Sequence, residues 1–331
     1  MTLSASSVSS LLRRLVGGAD VAIDLGTANS RVFAQGIGLV ADEPSVVPPE
    51  PPVDRARDQA VYPLRSGVVA DVQATSRLLR PWIARVRGTS LRAPRVLVCT
   101  PTDASEDERA ALVEATRTAG AASVALLPEP LAAAVGAGLD ISSPYAQMVV
   151  DIGEGVTDIA VIASGSIVGS SAVRTACGEM HEAVGSMLLA RHDLAVGRSE
   201  TERLLREVGV AEPTASDPAR VVVRGRDATT GHARWATIDR RELLSVSQPV
   251  AYHILNALRA ALRELPPSAG CEVIEGGIHL TGGGALVRGM RELIAFETRL
   301  TVHVVKDPMH AVIDGARQML AVGAATGLWK R

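Results

Sequence analysis

The chain has 331 residues, 47% hydrophobic and 21% charged, enough for two domains with real cores because single cores stop growing near about 250–300 residues. A net charge of −2 gives no global attraction to nucleic acid or anionic lipid. Aromatics at 2% argue against a base-stacking surface and leave the core to Val, Leu, Ile and Ala. Cys99, Cys177 and Cys271 are far apart and form no CxxC pair, as expected of reduced thiols without a zinc site. No run reaches the roughly 18 apolar residues of a spanning helix, and no signal-peptide pattern opens the chain.

In chain order, Val8, Leu11, Leu12, Leu15 and Val16 share one face of a short helix beside Arg13 and Arg14. The segment 1–19 reads either as an interfacial amphipathic helix or as a disordered leader. Val21 to Leu25 and Arg31 to Ala34 form a hairpin of buried strands about Gly26, Thr27, Ala28 and Asn29. A proline-dense link, Pro48 to Pro52, and a short polar loop, Val53 to Tyr62, follow. A helical pattern then carries Val72, Leu78, Leu79 and Trp82, with Pro81 set against its continuity.

Arg95 to Cys99 is a strand, and Ser105 caps a helix with the acidic first turn Glu106, Asp107 and Glu108. Val124 to Leu127 is another strand, from which Pro128-Glu129-Pro130 opens an alanine-rich helix to Gly138. Met148 to Ala163 repeats the hairpin design, turning through Gly153, Glu154, Gly155, Val156 and Thr157, and Ile167 to Val173 adds a strand. Meanders beside crossover helices imply mixed sheets in an α/β fold. Glu179 to Ala190 and Glu200 to Val208 are helices, Arg220 to Arg226 and Arg234 to Ile238 are strands, and Arg241 to Leu265 is a long helix interrupted or bent near Pro249. Gly277 to Met290 is a strand, a triple-glycine turn at Gly282, Gly283 and Gly284, and a helix start. A strand at Arg299 to Val305 and a helix at Ala311 to Leu320 close the fold.

The chemistry concentrates at the two hairpins. Each has an aspartate, Asp24 or Asp151, leaving a buried strand into a glycine turn, and such a turn aims several backbone N–H groups at one anion. The pair reads as two halves closing on a phosphate chain and its metal. The alternatives are structural: turn amides satisfying Asp24 and Asp151, Glu129 capping its own helix, and Glu202 placed by the helix dipole. His181, His192 and His232 show no ligand spacing and read as surface groups.

VAIDLGTANSRV, EPSVV, GVVADVQATSRLL, PEPLAAAVGAGL, VVDIGEGVTDIAVI and IHLTGGGALVRGM stand in the order and spacing of the actin-like ATPases. From Asp20 to Leu320 the chain resembles the MreB family, the bacterial actins of rod-shape determination. The resemblance implies two domains around a nucleotide cleft, with ATP and Mg²⁺ as cofactors. Gly26, Thr27, Ala28 and Asn29 would form the first phosphate loop, and Gly153, Glu154, Gly155, Val156 and Thr157 the second. Asp24 and Asp151 would hold Mg²⁺ through water, Glu129 would position the attacking water, Gly282, Gly283 and Gly284 would line the adenosine, and Glu202 would meet the ribose.

Carried over, the domains are 20–144 with 312–331 as domain I, 145–178 with 265–311 as subdomain IIA, and 179–264 as subdomain IIB. Subdomain IB is reduced to 48–64. The family also implies a cytoplasmic protein, peripheral at the inner face of the plasma membrane, whose partners are further copies of itself in a protofilament, the membrane, and cell-wall synthesis or morphogenesis proteins. Nucleic acid is not among them, and slow ATP hydrolysis is the activity implied. The alternative is a non-polymerising nucleotide-dependent scaffold with a degenerate ATP site.

The sequence departs from the family pattern at five places. Pro48 to Leu64 is too short for the small subdomain IB, and Glu154 and Val156 make the second loop resemble eukaryotic actin. Cys177-Gly178 replaces a glycine-aspartate pair, and Leu205 replaces a lysine expected at the adenosine, a loss of about 1–3 kcal/mol if that contact is buried. Leu91, between Arg87 and Arg92, is a thinner version of an apolar membrane-inserting pair. A carboxylate as close to phosphates as Glu154 needs a metal or a turned-away rotamer.

Overall fold

The computed structural model describes residues 20–49, 60–88, 90 and 92–326. The expectations for 1–19, for 53–59 and for Leu91 fall outside these residues. Their elements, in chain order, begin with β1 (Val21–Leu25), β2 (Asn29–Ala34), β3 (Gly38–Pro44), β4 (Leu64–Arg65), β5 (Val68–Val69), α1 (Val72–Arg87), β6 (Arg95–Thr100), α2 (Glu106–Thr118), β7 (Ser123–Pro128) and α3 (Glu129–Gly136). Then come β8 (Gln147–Ile152), β9 (Thr157–Ala163), β10 (Ser166–Val173), α4 (Cys177–His192), β11 (Leu194–Ala195), α5 (Arg198–Glu207), β12 (Arg220–Asp227), β13 (Ala233–Asp239), α6 (Arg240–Glu264), α7 (Pro267–Gly276), β14 (Ile278–Thr281), α8 (Met290–Thr298), β15 (Val302–Val304) and α9 (Ala311–Thr326).

The chain divides into two compact units, one drawn from Met1–Asp140 and His310–Arg331, the other Ile141–Met309. The first holds a five-stranded sheet of order β3-β2-β1-β6-β7. β1 and β2, like β2 and β3, pair antiparallel, whereas β1, β6 and β7 run parallel. All five residues of β1 are buried, as expected of a strand covered on both faces. The second unit repeats the scheme as β10-β9-β8-β14-β15, with an antiparallel meander β8-β9-β10 and parallel β8, β14 and β15. A separate three-stranded sheet, β11-β12-β13, lies in the second unit.

Local sequence explains most of the elements. α2 begins with a capping box in which the Glu108 amide donates to Ser105 Oγ (3.2 Å) and the Ser105 amide donates to the Glu108 carboxylate (2.8 Å). α1 is capped by Asp71, whose carboxylate accepts from the Ala74 amide at 2.9 Å. α1 runs unbroken through Pro81, and α6 is not interrupted at Pro249. Both prolines face solvent, while Leu78, Leu79, Trp82 and Ile83 in α1 and Ala251, Ile254, Leu255 and Leu258 in α6 are buried. Packing of those faces outweighs the roughly 3 kcal/mol a mid-helix proline costs.

Other elements were illegible in the sequence. β3 reaches back to Gly38, α7 was not anticipated, and between Gly282 and α8 the chain makes a short 3₁₀ turn, Gly283–Leu286, in place of an immediate α-helix. Between β3 and β4, the described residues contain the isolated bridge Val47–Val61.

In the first unit α3 and α9 touch backbone to backbone. A Cβ at Gly136 would lie 1.8 Å from the Ala311 carbonyl oxygen, and one at Gly315 would lie 1.8 Å from that of Ala132. Alanine raises helix propensity by up to about 1 kcal/mol, yet overpacking costs about 1–3 kcal/mol and here meets rigid backbone. Gly136→Ala and Gly315→Ala are therefore each expected to lower the melting temperature. A rise on calorimetric or circular-dichroism melting would contradict this packing.

Candidate functional site

In both units the parallel strands end at one edge, and the predicted site residues other than Glu202, which lies on α5, are found there. In open α/β sheets that carboxyl-end edge is where ligands bind. In the first unit β1 ends at Leu25 and the turn 26–28 follows, while β7 ends at Pro128 and delivers Glu129 as the first residue of α3. Glu129 is half-buried at a helix start, where the dipole favours a carboxylate.

The first turn is tightly built. A Cβ at Gly26 would lie 2.7 Å from the Asn29 carbonyl oxygen, so only glycine fits. Ser45, from the EPSVV segment, donates from Oγ to the Gly26 carbonyl at 2.5 Å and from its amide to the Ala28 carbonyl at 2.9 Å. Thr27 Oγ1 accepts from the Gly67 amide at 2.9 Å. Two distant segments thus fix the turn's shape.

Asp24 is buried, and its Oδ2 lies 3.2 Å from Arg31 Nη1. Arg31 Nε lies 3.2 Å from Asp42 Oδ1, and His310 Nε2 is 2.9 Å from Asp42 Oδ2. Burial pushes the Asp24 carboxyl above the ordinary carboxylate range, and the Arg31 guanidinium opposes that rise.

The second turn, 153–156, is closed by the Gly153 amide donating to the Val156 carbonyl at 3.0 Å. The first amides of α4 hold it from outside, Cys177 donating to the Gly153 carbonyl (3.1 Å) and Gly178 to the Glu154 carbonyl (2.8 Å). A Cβ at Gly178 would lie 2.7 Å from the Glu154 carbonyl oxygen, so glycine is required. Thr157 Oγ1 donates to the Thr175 carbonyl at 2.8 Å. The Glu154 side chain is turned onto Arg198, at the start of α5, which grips it through both Nη atoms. Burial raises the Glu154 carboxyl, with Arg198 pulling it back down.

The triple glycine packs on the same edge. A Cβ at Gly282 would lie 2.3 Å from Asp151 Oδ1, and one at Gly284 would lie 2.3 Å from the Ile152 side chain. Gly283 has only the Met309 sulfur and the Cys177 sulfur nearby, at 3.7 and 4.0 Å. Gly282 and Gly284 are thus demanded by the scaffold. Gly282 precedes the 3₁₀ turn that Gly283 and Gly284 open, and none of the three opens an α-helix.

One expectation needs correction. His181 is not a surface group: its side chain is 11% exposed, its Nδ1 lies 2.8 Å from Thr201 Oγ1, and burial with nearby Arg198 lowers its pKa to about 4. His192 is half-buried and pairs with Glu242 at 3.0 Å, while His232 is exposed. Glu202 is exposed and pairs with Arg206 at 2.8 Å, one helical turn past Arg198.

Sequence reading missed Arg31, Asp42, Ser45 and Arg198. The first two were recoverable, because the register of the β1–β2 hairpin sets Arg31 opposite Asp24 and that of β2–β3 sets Asp42 opposite Arg31.

A meander-plus-parallel sheet used twice, each with an aspartate entering a glycine turn at the end of its central strand, defines the actin-like ATPase fold. Comparison with known proteins gives the same class. The family model described as MreB/Mbl protein matches residues 53–326. The cell shape-determining protein MreB of Escherichia coli (strain K12) is 36% identical over 323 residues, covering 91% of this chain and 93% of the relative. The cell shape-determining protein Mbl of Bacillus cereus is also 36% identical, over 322 residues, with 91% and 95% covered. Among solved structures, MreB 5 of Spiroplasma citri bound to AMPPNP superposes with a TM-score of 0.81 at 26% identity, covering 94% of this chain and 99% of that one. The chain belongs to the MreB/Mbl family.

His181 yields a pH prediction. The unfolded chain takes up a proton near pH 6.5 that the native His181 accepts only near pH 4, so this residue removes stability as pH falls through that window. His181→Asn is expected to flatten the drop in melting temperature between pH 6.5 and 4. An unchanged pH profile would show that His181 takes up its proton alike in the folded and unfolded chain.

Proposed function

We propose that this chain is a nucleotide-dependent actin-like protein of the cytoplasm that assembles into filaments at the inner face of the plasma membrane and guides cell-wall synthesis and shape. The observation that carries this reading is the duplicated sheet with an aspartate-glycine turn at the same point of each copy. The names of its relatives, cell shape-determining proteins, supply the process, and the AMPPNP-bound structure of MreB 5 supplies the ligand class.

In this reading Gly26, Thr27, Ala28 and Asn29 in the first unit and Gly153, Gly155, Val156 and Thr157 in the second bind phosphate through turn amides. Gly283 leaves room for the adenosine, Glu202 turns from Arg206 to the ribose, and Glu129 orients the attacking water for slow hydrolysis of ATP. Residues 179–264, which hold most of α4, the three-stranded sheet, α5 and α6, are the subdomain IIB of this scheme.

Mg²⁺ fits one aspartate and not the other. Asp151 stands opposite Asp158 across the β8–β9 hairpin, both buried, and a divalent cation relieves like charges so placed. Asp24 has the Arg31 guanidinium against it and does not suit a metal. Bound with the nucleotide, Mg²⁺ would neutralise charge on the phosphates.

Arg198 keeps the Glu154 carboxylate from repelling those phosphates. Arg198→Ala is expected to weaken ATP binding about tenfold, and Glu154→Gln in the same chain to restore most of it. Calorimetric titration checks this; equal affinities for wild type and Arg198→Ala would remove the shielding role.

Sedimentation of the purified protein with and without ATP, Mg²⁺ and lipid vesicles tests assembly. Pelleting that requires nucleotide and is enhanced by vesicles is expected, with Glu129→Ala retaining ATP binding while phosphate release slows at least tenfold. Single-subunit behaviour at high concentration under all conditions would favour a non-polymerising scaffold, the reading suggested by the short link 48–64.

A further inference from the structure

The first unit carries a row of charges across three adjacent strands. Asp24 on β1 is in register with Arg31 on β2, and Arg31 with Asp42 on β3. Cross-strand partners stand on the same face of a sheet, and the ion-pair distances, 3.2 Å on each side of Arg31, agree. Arg31 is 7% exposed, so its guanidinium is fixed between two carboxylates and shielded from water.

The corresponding row of the second unit reads Asp151 on β8, Asp158 on β9 and Ala172 on β10. In that register an alanine and a second aspartate stand where the first unit has Asp42 and Arg31, so the topology does not itself demand an arginine on the middle strand. Stability is also a poor reason for Arg31, because desolvating a buried ion pair commonly cancels its Coulomb gain. What Arg31 does alter is the potential at the turn 26–28, which follows Asp24 by one residue.

We infer that Arg31 is a built-in cation that takes a divalent metal's place beside Asp24 and thereby lessens the dependence of nucleotide binding on Mg²⁺. The inference rests on the nucleotide reading above. An unscreened Asp24 next to a phosphate-binding turn would repel the ligand until a metal ion intervened; a guanidinium at 3.2 Å provides that screening permanently.

The test is the ratio of ATP dissociation constants measured in EDTA and in excess Mg²⁺, for the full-length wild type, Arg31→Leu and Arg31→Gln. Both substitutions are expected to raise the ratio about tenfold, through loss of affinity in EDTA with affinity in Mg²⁺ largely retained. Arg31→Gln keeps a donor for Asp24, and carries the comparison if Arg31→Leu fails to fold by circular dichroism. A rise of less than threefold in the folded variants overturns the inference and leaves the nucleotide reading intact. Absence of ATP binding by the wild type in both buffers instead overturns the nucleotide reading, and the inference with it.

Discussion

Each unit depends on one awkward requirement: a carboxylate buried at the carboxyl end of its central strand, beside a backbone turn that exposes polar groups. Burying an ionised carboxylate is costly unless a cation or several donors meet it. The two units answer differently. In the first, the neighbouring strand brings Arg31, and the next brings Asp42 with His310 behind it. In the second, the strand opposite brings another carboxylate, Asp158, while the glycine at 282 lets backbone approach Asp151 more closely than any side chain would allow.

The turns themselves are held by segments remote in sequence. Ser45 fixes two carbonyls of the first turn and α4 fixes two of the second, so the turn carbonyls are occupied from the scaffold side. This arrangement also explains why the EPSVV segment and Cys177-Gly178 belong to the site's architecture although neither looks chemical in isolation. Gly178 in particular is dictated by the approach of the Glu154 carbonyl.

Much of this was legible in the residues. Apolar runs that close on an aspartate and a glycine announced both hairpins, because strands buried on both faces leave little else in their composition. The acidic start of α2 announced its capping box. What stayed hidden depended on tertiary packing. Pro81 and Pro249 look like helix breakers locally, yet their solvent-facing placement and the buried faces beside them keep both helices whole. His181 looked peripheral because nothing in its neighbours announces that Thr201 and Arg198 pack over it. Glu154 was expected to need a metal or a turned-away rotamer; its side chain is turned onto Arg198, forty-four positions on, a partner that pattern alone could not name.

The contact between α3 and α9 has a mechanical meaning. With glycine at both crossing points, the two helix backbones interlock without any side chain between them, and such a joint has no rotamer to yield. α3 begins with Glu129, so the carboxylate's position is registered against a helix nearly two hundred residues away in sequence. A shift of α9 at that crossing must be accommodated by the backbone of α3, the helix that Glu129 heads. α3 and the closing helix therefore form a single mechanical piece within the first unit.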